Sequence, residues 1–152
     1  MPNISDKIES SYLYNIYEPT KFKIIVRNIV KTVLRLHKEK RINAIAFTGT
    51  SGAAVAYPVS YVTGIPLLCI RKSKVDNHYR KKLEGYTKPR NYIIIDDFVA
   101  TGKTIKTMVK TIKDYSPNSK LSAVILYTDR RENTEFLENA FETKIKIVGV
   151  KR

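Results

Sequence analysis

The sequence predicts an α/β fold, a parallel sheet of about five strands flanked by helices, and three observations carry that expectation. Short apolar runs rich in β-branched residues recur along the 152-residue chain. Between them lie stretches whose apolar residues repeat with helical periodicity. Turn residues fall at the junctions, as at Thr63-Gly64 and Ser116-Pro117-Asn118-Ser119.

In order, Phe22, Val26, Ile29, Val33 and Leu36 form the apolar stripe of a first long helix, with Arg27, Lys31, Arg35 and Lys38 on its other side. Residues Ile42 to Phe47 read as a strand, and Ser51 to Thr63 as a helix that Pro58 should interrupt, because proline removes an intrahelical hydrogen bond. Pro66 to Ile70 reads as a strand. Arg71 to Arg90 is a polar stretch too long for an ordinary connection, and the length of a working loop or lid. Asn91 to Ile95 is a strand buried on both faces, followed by a helix over Lys103 to Tyr115. Leu121 to Tyr127, Glu132 to Phe141 and Lys144 to Val148 complete the pattern as strand, helix and strand. No internal repeat or low-complexity tract breaks it.

With 43% hydrophobic residues, residues 1–152 suffice for one domain around a single core. No run approaches the roughly eighteen apolar residues of a membrane span, and Met1 to Tyr12 has no apolar segment of a signal peptide. No membrane partner and a cytoplasmic location are therefore expected. The single cysteine, Cys69, sits in an apolar run and reads as a buried thiol in a reducing compartment. No Cys/His cluster has metal-ligand spacing, so no protein metal ligands are assigned. The formal net charge is +14, with eight basic against two acidic residues over 71–90 and eight against one over 21–41. Such a field attracts a polyanion, whether a phosphorylated substrate or a nucleic-acid backbone, or it is a solvated helix face.

The most informative segment is NYIIIDDFVATGKTIKT, residues 91–107. The strand ends in Asp96 and Asp97, which strand alternation would send to opposite sides. At Ala100, Thr101, Gly102, Lys103 and Thr104 the chain turns into a helix whose first amides lack internal acceptors, an anion cradle with hydroxyls beside it. Carboxylates suit vicinal hydroxyls and the cradle suits a phosphate. The bland alternative is a helix cap and ordinary turn chemistry. A Walker A loop is set aside, because the glycine required five residues before Gly102 is Asp97. A second loop, Thr48, Gly49, Thr50, Ser51 and Gly52, follows the first strand with the composition of an oxyanion loop.

The 91–107 segment in this context resembles the signature of the type I phosphoribosyltransferases, which bind 5-phosphoribosyl 1-pyrophosphate (PRPP). The resemblance covers about Ile42 to Val150, and it implies a phosphoribosyltransferase-type core with a small or reduced hood. Residues 1–20, carrying Tyr12, Tyr14 and Tyr17, would be the hood or arm, and 71–90 the flexible catalytic loop. It implies that Ala100, Thr101, Gly102, Lys103 and Thr104 hold the 5′-phosphate, although many relatives carry glycine or a small polar residue at the place of Lys103. Asp96 and Asp97 would hold the ribose hydroxyls and steady positive charge at the anomeric carbon. Thr48, Gly49, Thr50 and Ser51, with Arg71 and Lys72, would bind pyrophosphate.

Within the family the chain is most similar to orotate phosphoribosyltransferases. Lys74, Asp76, Asn77 and His78 resemble a Lys-Asp-His run in their catalytic loop, which implies catalytic roles for Lys74 and His78. Here, however, Val75 separates Lys74 from Asp76 and Asn77 separates Asp76 from His78. The strand closing in Asp129-Arg130 resembles the element that carries their base-contacting arginine, so Arg130 is the base-binding candidate, with Arg131 beside it. The Lys-Ser-Gly and Ser-Pro-Tyr patterns that grip orotate are absent.

The resemblance implies transfer of the phosphoribosyl group from PRPP to a nucleobase, giving a nucleoside 5′-monophosphate and pyrophosphate, with an orotate-like pyrimidine favoured over adenine or hypoxanthine/guanine. Mg²⁺ bound mainly through PRPP is implied as cofactor, and a homodimer as the assembly. A non-enzymatic PRPP sensor that binds nucleic acid is the rival class, since members of the fold serve as such regulators.

Overall fold

The computed structural model describes residues 13–71, 82–128 and 134–148. The candidates Lys72, Lys74, Asp76, Asn77, His78, Arg130 and Arg131, and the arm up to Tyr12, lie outside these residues.

The chain opens with a short helix α1 (Tyr14–Tyr17) and the long α2 (Pro19–Lys40). Glu18 caps α2, its carboxylate accepting from the amides of Thr20 at 3.1 Å and Lys21 at 2.7 Å, and Pro19 occupies a first-turn position where no N–H is missed. Then follow β1 (Ala44–Phe47), α3 (Gly49–Thr63), β2 (Leu67–Ile70), β3 (Leu83–Gly85), β4 (Asn91–Asp96), α4 (Lys103–Tyr115), β5 (Lys120–Leu126), α5 (Thr134–Phe141) and β6 (Ile145–Ile147).

The sheet runs in the order β3-β2-β1-β4-β5-β6. All pairings are parallel except β2 with β3, where Leu68 faces Gly85 and Ile70 faces Leu83. The five expected strands are thus present, and β3 is a sixth that the sequence hid inside the stretch read as one loop. Its three residues carry no alternation. What makes them a strand is the partner, together with Gly85, whose φ of +95° and contact with the Leu67 carbonyl leave no room for a side chain.

One core lies between the sheet and α2 and α3, built on Ile25, Ile29, Val33, Ile45, Val55 and Ile93. The other lies between the opposite face and α4 and α5, built on Leu68, Ile94, Ile105, Met108, Ile112 and Leu137. The alternation of elements along the sequence thus becomes a sheet covered on both sides. Contrary to expectation, α3 runs unbroken past Pro58. Burial of Val55, Ala56 and Val59 around it holds the helix on the sheet, so packing outweighs the lost hydrogen bond.

Candidate active site

Strand order reverses between β1 and β4, and in open α/β sheets the crevice beyond the carboxyl ends of strands at such a point is where ligands bind. Both loops singled out in the sequence meet there. A cavity of about 250 Å³ is lined by Thr48 and Ser51 from the β1–α3 loop and by the run 96–105 from the β4–α4 loop.

On the β1 side, Gly52 lets α3 approach the sheet. A Cβ there would lie 3.2 Å from both the Ile95 carbonyl oxygen and the Phe47 Cβ. The Tyr127 hydroxyl donates to the Ser51 carbonyl at 2.7 Å, and the Thr48 hydroxyl donates to the Ile70 carbonyl at 2.7 Å. The loop is therefore held by β5 on one side and by β2 on the other. Thr48 reaches a ligand only as an acceptor or through its backbone while that bond lasts.

On the β4 side, Asp96 and Asp97 are both buried and both line the cavity. The expectation that they face opposite ways does not hold at the cavity, because β4 ends at Asp96 and the pleat no longer governs Asp97. Each carboxylate helps to set the turn: Asp96 Oδ1 accepts from the Asp97 amide at 2.9 Å and Asp97 Oδ1 from the Phe98 amide at 2.7 Å. The Asp97 carbonyl is also bound by the amide and the hydroxyl of Thr128. Gly102 then takes φ +76° as the residue before α4. The first bond into the helix is Lys106 N–H to the Gly102 carbonyl at 3.0 Å, so the amides of 103–105 precede the helical ladder. That of Lys103 is shared with the Thr101 hydroxyl at a long 3.4 Å, while those of Thr104 and Ile105 find no acceptor among the described residues. With the positive end of the α4 dipole behind them, these amides are free to donate to an anion.

The structure therefore brings together Thr48, Ser51, Asp96, Asp97, Ala100, Thr101, Gly102, Lys103 and Thr104. It separates Gly49, Thr50 and Arg71, which line a neighbouring groove of about 730 Å³ with Tyr57, Cys69 and Glu84. In that groove Arg71 is ion-paired to Glu84, its Nε donating at 2.7 Å. The reading of the sequence had not paired them, although Glu84 is one of only two acids among the twenty residues 71–90. Tyr127 and Thr128, which hold the two loops in place, were also missed, since nothing local marks a strand end that braces its neighbours. Cys69 is half-buried, and burial pushes its thiol above the ordinary range, which suits an unreactive side chain.

Among the described residues no three His, Cys, Asp or Glu side chains gather to hold a metal, and no helix is long and apolar enough to cross a membrane.

A family model for the phosphoribosyl transferase domain matches residues 14–151, and the chain belongs to that family. An orotate phosphoribosyltransferase of Methanosarcina mazei is 28% identical over 76% of this chain and 59% of its own length. A hypoxanthine/guanine phosphoribosyltransferase of Methanosalsum zhilinae is 30% identical over 65% of this chain and 58% of its own. The chain thus spans about three fifths of these curated relatives. In fold it is similar to the orotate phosphoribosyltransferase of Mycobacterium tuberculosis solved in complex with PRPP, with a TM-score of 0.70 at 15% identity over 93% of this chain and 80% of that one.

Proposed function

We propose that the chain is a PRPP-dependent phosphoribosyltransferase that moves the 5-phosphoribosyl group to a nucleobase, an orotate-like pyrimidine ahead of the purines. One observation carries this reading. Two buried carboxylates and the open amides of a helix start line one cavity at the reversal of strand order, so a single ligand with hydroxyls at one end and a phosphate at the other satisfies both.

In this reading the 5′-phosphate rests on the amides of Thr104 and Ile105, with the Thr101 hydroxyl and the Lys103 ammonium beside it. Asp96 and Asp97 accept from the ribose hydroxyls and stabilise positive charge as the anomeric C–O bond to pyrophosphate lengthens. A ring nitrogen of the base attacks that carbon, pyrophosphate leaves with the bonding pair, and the nitrogen's proton passes to a base or to water. Thr48 and Ser51 line the cavity on the side given to the leaving group, and Arg71, from the neighbouring groove, is assigned with Lys72 to the same pyrophosphate. Lys74 and His78 belong to the loop that closes over the reaction, and Arg130 to base recognition. Magnesium fits as a companion of the substrate: the cavity contributes hard oxygens from Asp96 and Asp97, too few for a protein cage, so pyrophosphate oxygens and water would supply most ligands. When bound it screens the leaving group. The same reading puts the enzyme in the cytoplasm as a homodimer, for which the exposed Tyr57, Tyr61 and Val62 of α3 offer an apolar face.

The test is nucleotide formation from PRPP and magnesium with orotate, uracil, adenine, hypoxanthine, guanine or xanthine in turn. One base should give base-dependent pyrophosphate release, and Asp97→Asn should lower it by roughly a hundredfold or more with the fold intact. No release with any base would overturn the reading, and full activity in the variant would remove Asp97 from the site.

A further inference from the structure

The face of α2 turned away from the sheet carries a line of cations. Arg27, Lys31 and Lys38 recur at helical spacing and are all exposed, with the exposed Arg35 on the flank of the same face. At 1.5 Å per residue the line is about 16 Å long. A second set of cations, from a different part of the chain, joins its carboxyl end. The Lys40 ammonium donates to the Ser122 carbonyl at 3.1 Å and so ties the end of α2 to β5. Beside β5, on the edge strand β6, Lys146 lies in register with Ile125, and the exposed Lys144 precedes the strand. Burial, then the charges of Arg35 and Lys40, lower the Lys146 ammonium from its ordinary range against a smaller opposing effect of Glu39, which places these side chains in one field. None of these cations has an ion-pair partner among the described residues. Glu39 is the single acid between residues 21 and 41.

Mutual repulsion on this scale is relieved by an extended polyanion, whose charges repeat along a line as the cations do. The composition of the face decides which polyanion. Ile25, Ile29, Val33 and Leu36 of α2 are buried in the core, and of its large apolar side chains only Ile24 and Leu34 stand exposed. A helix that enters a bilayer needs an open apolar strip, and a protein interface needs an apolar centre, and α2 offers neither. Phosphate contacts need only charge and hydrogen-bond donors, which arginine and lysine supply. We propose that the outer face of α2, together with β6, is a docking surface for the phosphate backbone of a nucleic acid. No exposed Phe, Tyr or Trp stands on α2 for a base to stack on, so binding is through the backbone and independent of base sequence. Lys40 and Lys144 lie near the amino ends of β5 and β6, whereas the cavity over Asp96 and Asp97 opens beyond the carboxyl ends of the strands, so the two surfaces are apart.

The experiment is fluorescence anisotropy of a labelled DNA duplex titrated with the full chain from about 50 to 200 mM salt. Three double variants are compared with the wild type: Lys31→Gln/Lys38→Gln on the line, Arg35→Gln/Lys146→Gln across α2 and β6, and Lys110→Gln/Lys113→Gln on α4, which covers the opposite side of the sheet and loses the same charge. Circular dichroism checks that each is folded. Each of the first two should bind roughly tenfold or more weakly, and the slope of log K against log salt should shrink by about two, one for each phosphate contact removed. The α4 variant should stay within about twofold of the wild type. Absence of duplex binding by the wild type overturns the proposal, and so does equal weakening in all three variants, which would make net charge the cause. Vesicles of phosphatidylserine and phosphatidylcholine form a parallel arm. Binding to them in place of the duplex, lost in the same variants, overturns it in favour of a membrane surface. Duplex binding is read without PRPP or a nucleobase, so its outcome is separate from that of the turnover test.

Discussion

Gly102 lies directly beneath Leu137. A Cβ built on the glycine would stand 2.6 Å from Leu137 Cδ2, so the start of α4 and the middle of α5 touch at the turn we propose for the 5′-phosphate. This glycine answers two demands at once, a left-handed backbone at φ +76° and a ceiling that excludes a side chain.

Gly102→Ala should therefore cost roughly 1–2 kcal/mol for the backbone conformation and about 1–3 kcal/mol more for overpacking against Leu137. Urea denaturation measures the sum. In the Gly102→Ala/Leu137→Ala double variant only the second part should be relieved, net of the cavity left at Leu137. Equal stability of Gly102→Ala and wild type would contradict the conformation assigned here.

Thr128 joins β5 to the acidic turn by two bonds to one oxygen, 3.0 Å from its amide and 2.8 Å from its hydroxyl to the Asp97 carbonyl. Thr128→Val keeps the shape and the amide bond but deletes the hydroxyl bond. We expect a loss of about 1 kcal/mol in stability. In the reaction we propose, turnover should fall more than PRPP affinity, because the variant loosens the position of a carboxylate rather than removing it. Unchanged kcat would show that the amide bond alone holds the turn.

Tyr92 is fully buried at the start of β4, yet its hydroxyl has no hydrogen-bond partner among the described residues, and burial pushes its ionisation far above the ordinary tyrosine range. Tyr92→Phe deletes an unsatisfied polar atom and leaves the ring packing intact. Stability should rise, by about 1 kcal/mol. A clear loss in chemical denaturation would reveal a partner for the hydroxyl, such as a buried water.

Glu18 gives the fold an acid-sensitive point. The amides of Lys21 and then Thr20, aided by the Thr20 side chain and the Lys21 charge, hold its carboxyl below the ordinary value of 4.5. A depressed folded-state pKa means that the unfolded chain takes up the proton first as pH falls. The contribution is therefore complete above about 4.5 and disappears as pH drops through the lowered folded value. Glu18→Gln should reduce stability at neutral pH and should flatten this part of the pH dependence. Identical acid limbs for variant and wild type would exclude the cap.

What could be read from the chain alone was whatever depends on neighbours in sequence. The run from Asn91 to Thr107 announces a strand end, two acids and a helix start with open amides, because amide geometry at a helix terminus is local. The helix over Lys103 to Tyr115 appears with the expected limits for the same reason. The alternation of elements likewise implied a parallel sheet covered on both faces.

What only the folded chain decided was which of these pieces meet. Strand order set the reversal between β1 and β4 and so made one cavity of two loops. Pairing with β2 turned Leu83–Gly85 into a strand, and the ion pair with Glu84 drew Arg71 toward a different groove from Asp97. Leu137 came to cover Gly102, and Thr128 to hold the Asp97 carbonyl, from positions far along the chain. Such contacts depend on hydrogen bonds and packing between segments whose order in space the local pattern does not encode, so composition and periodicity name the parts while long-range burial assembles the site.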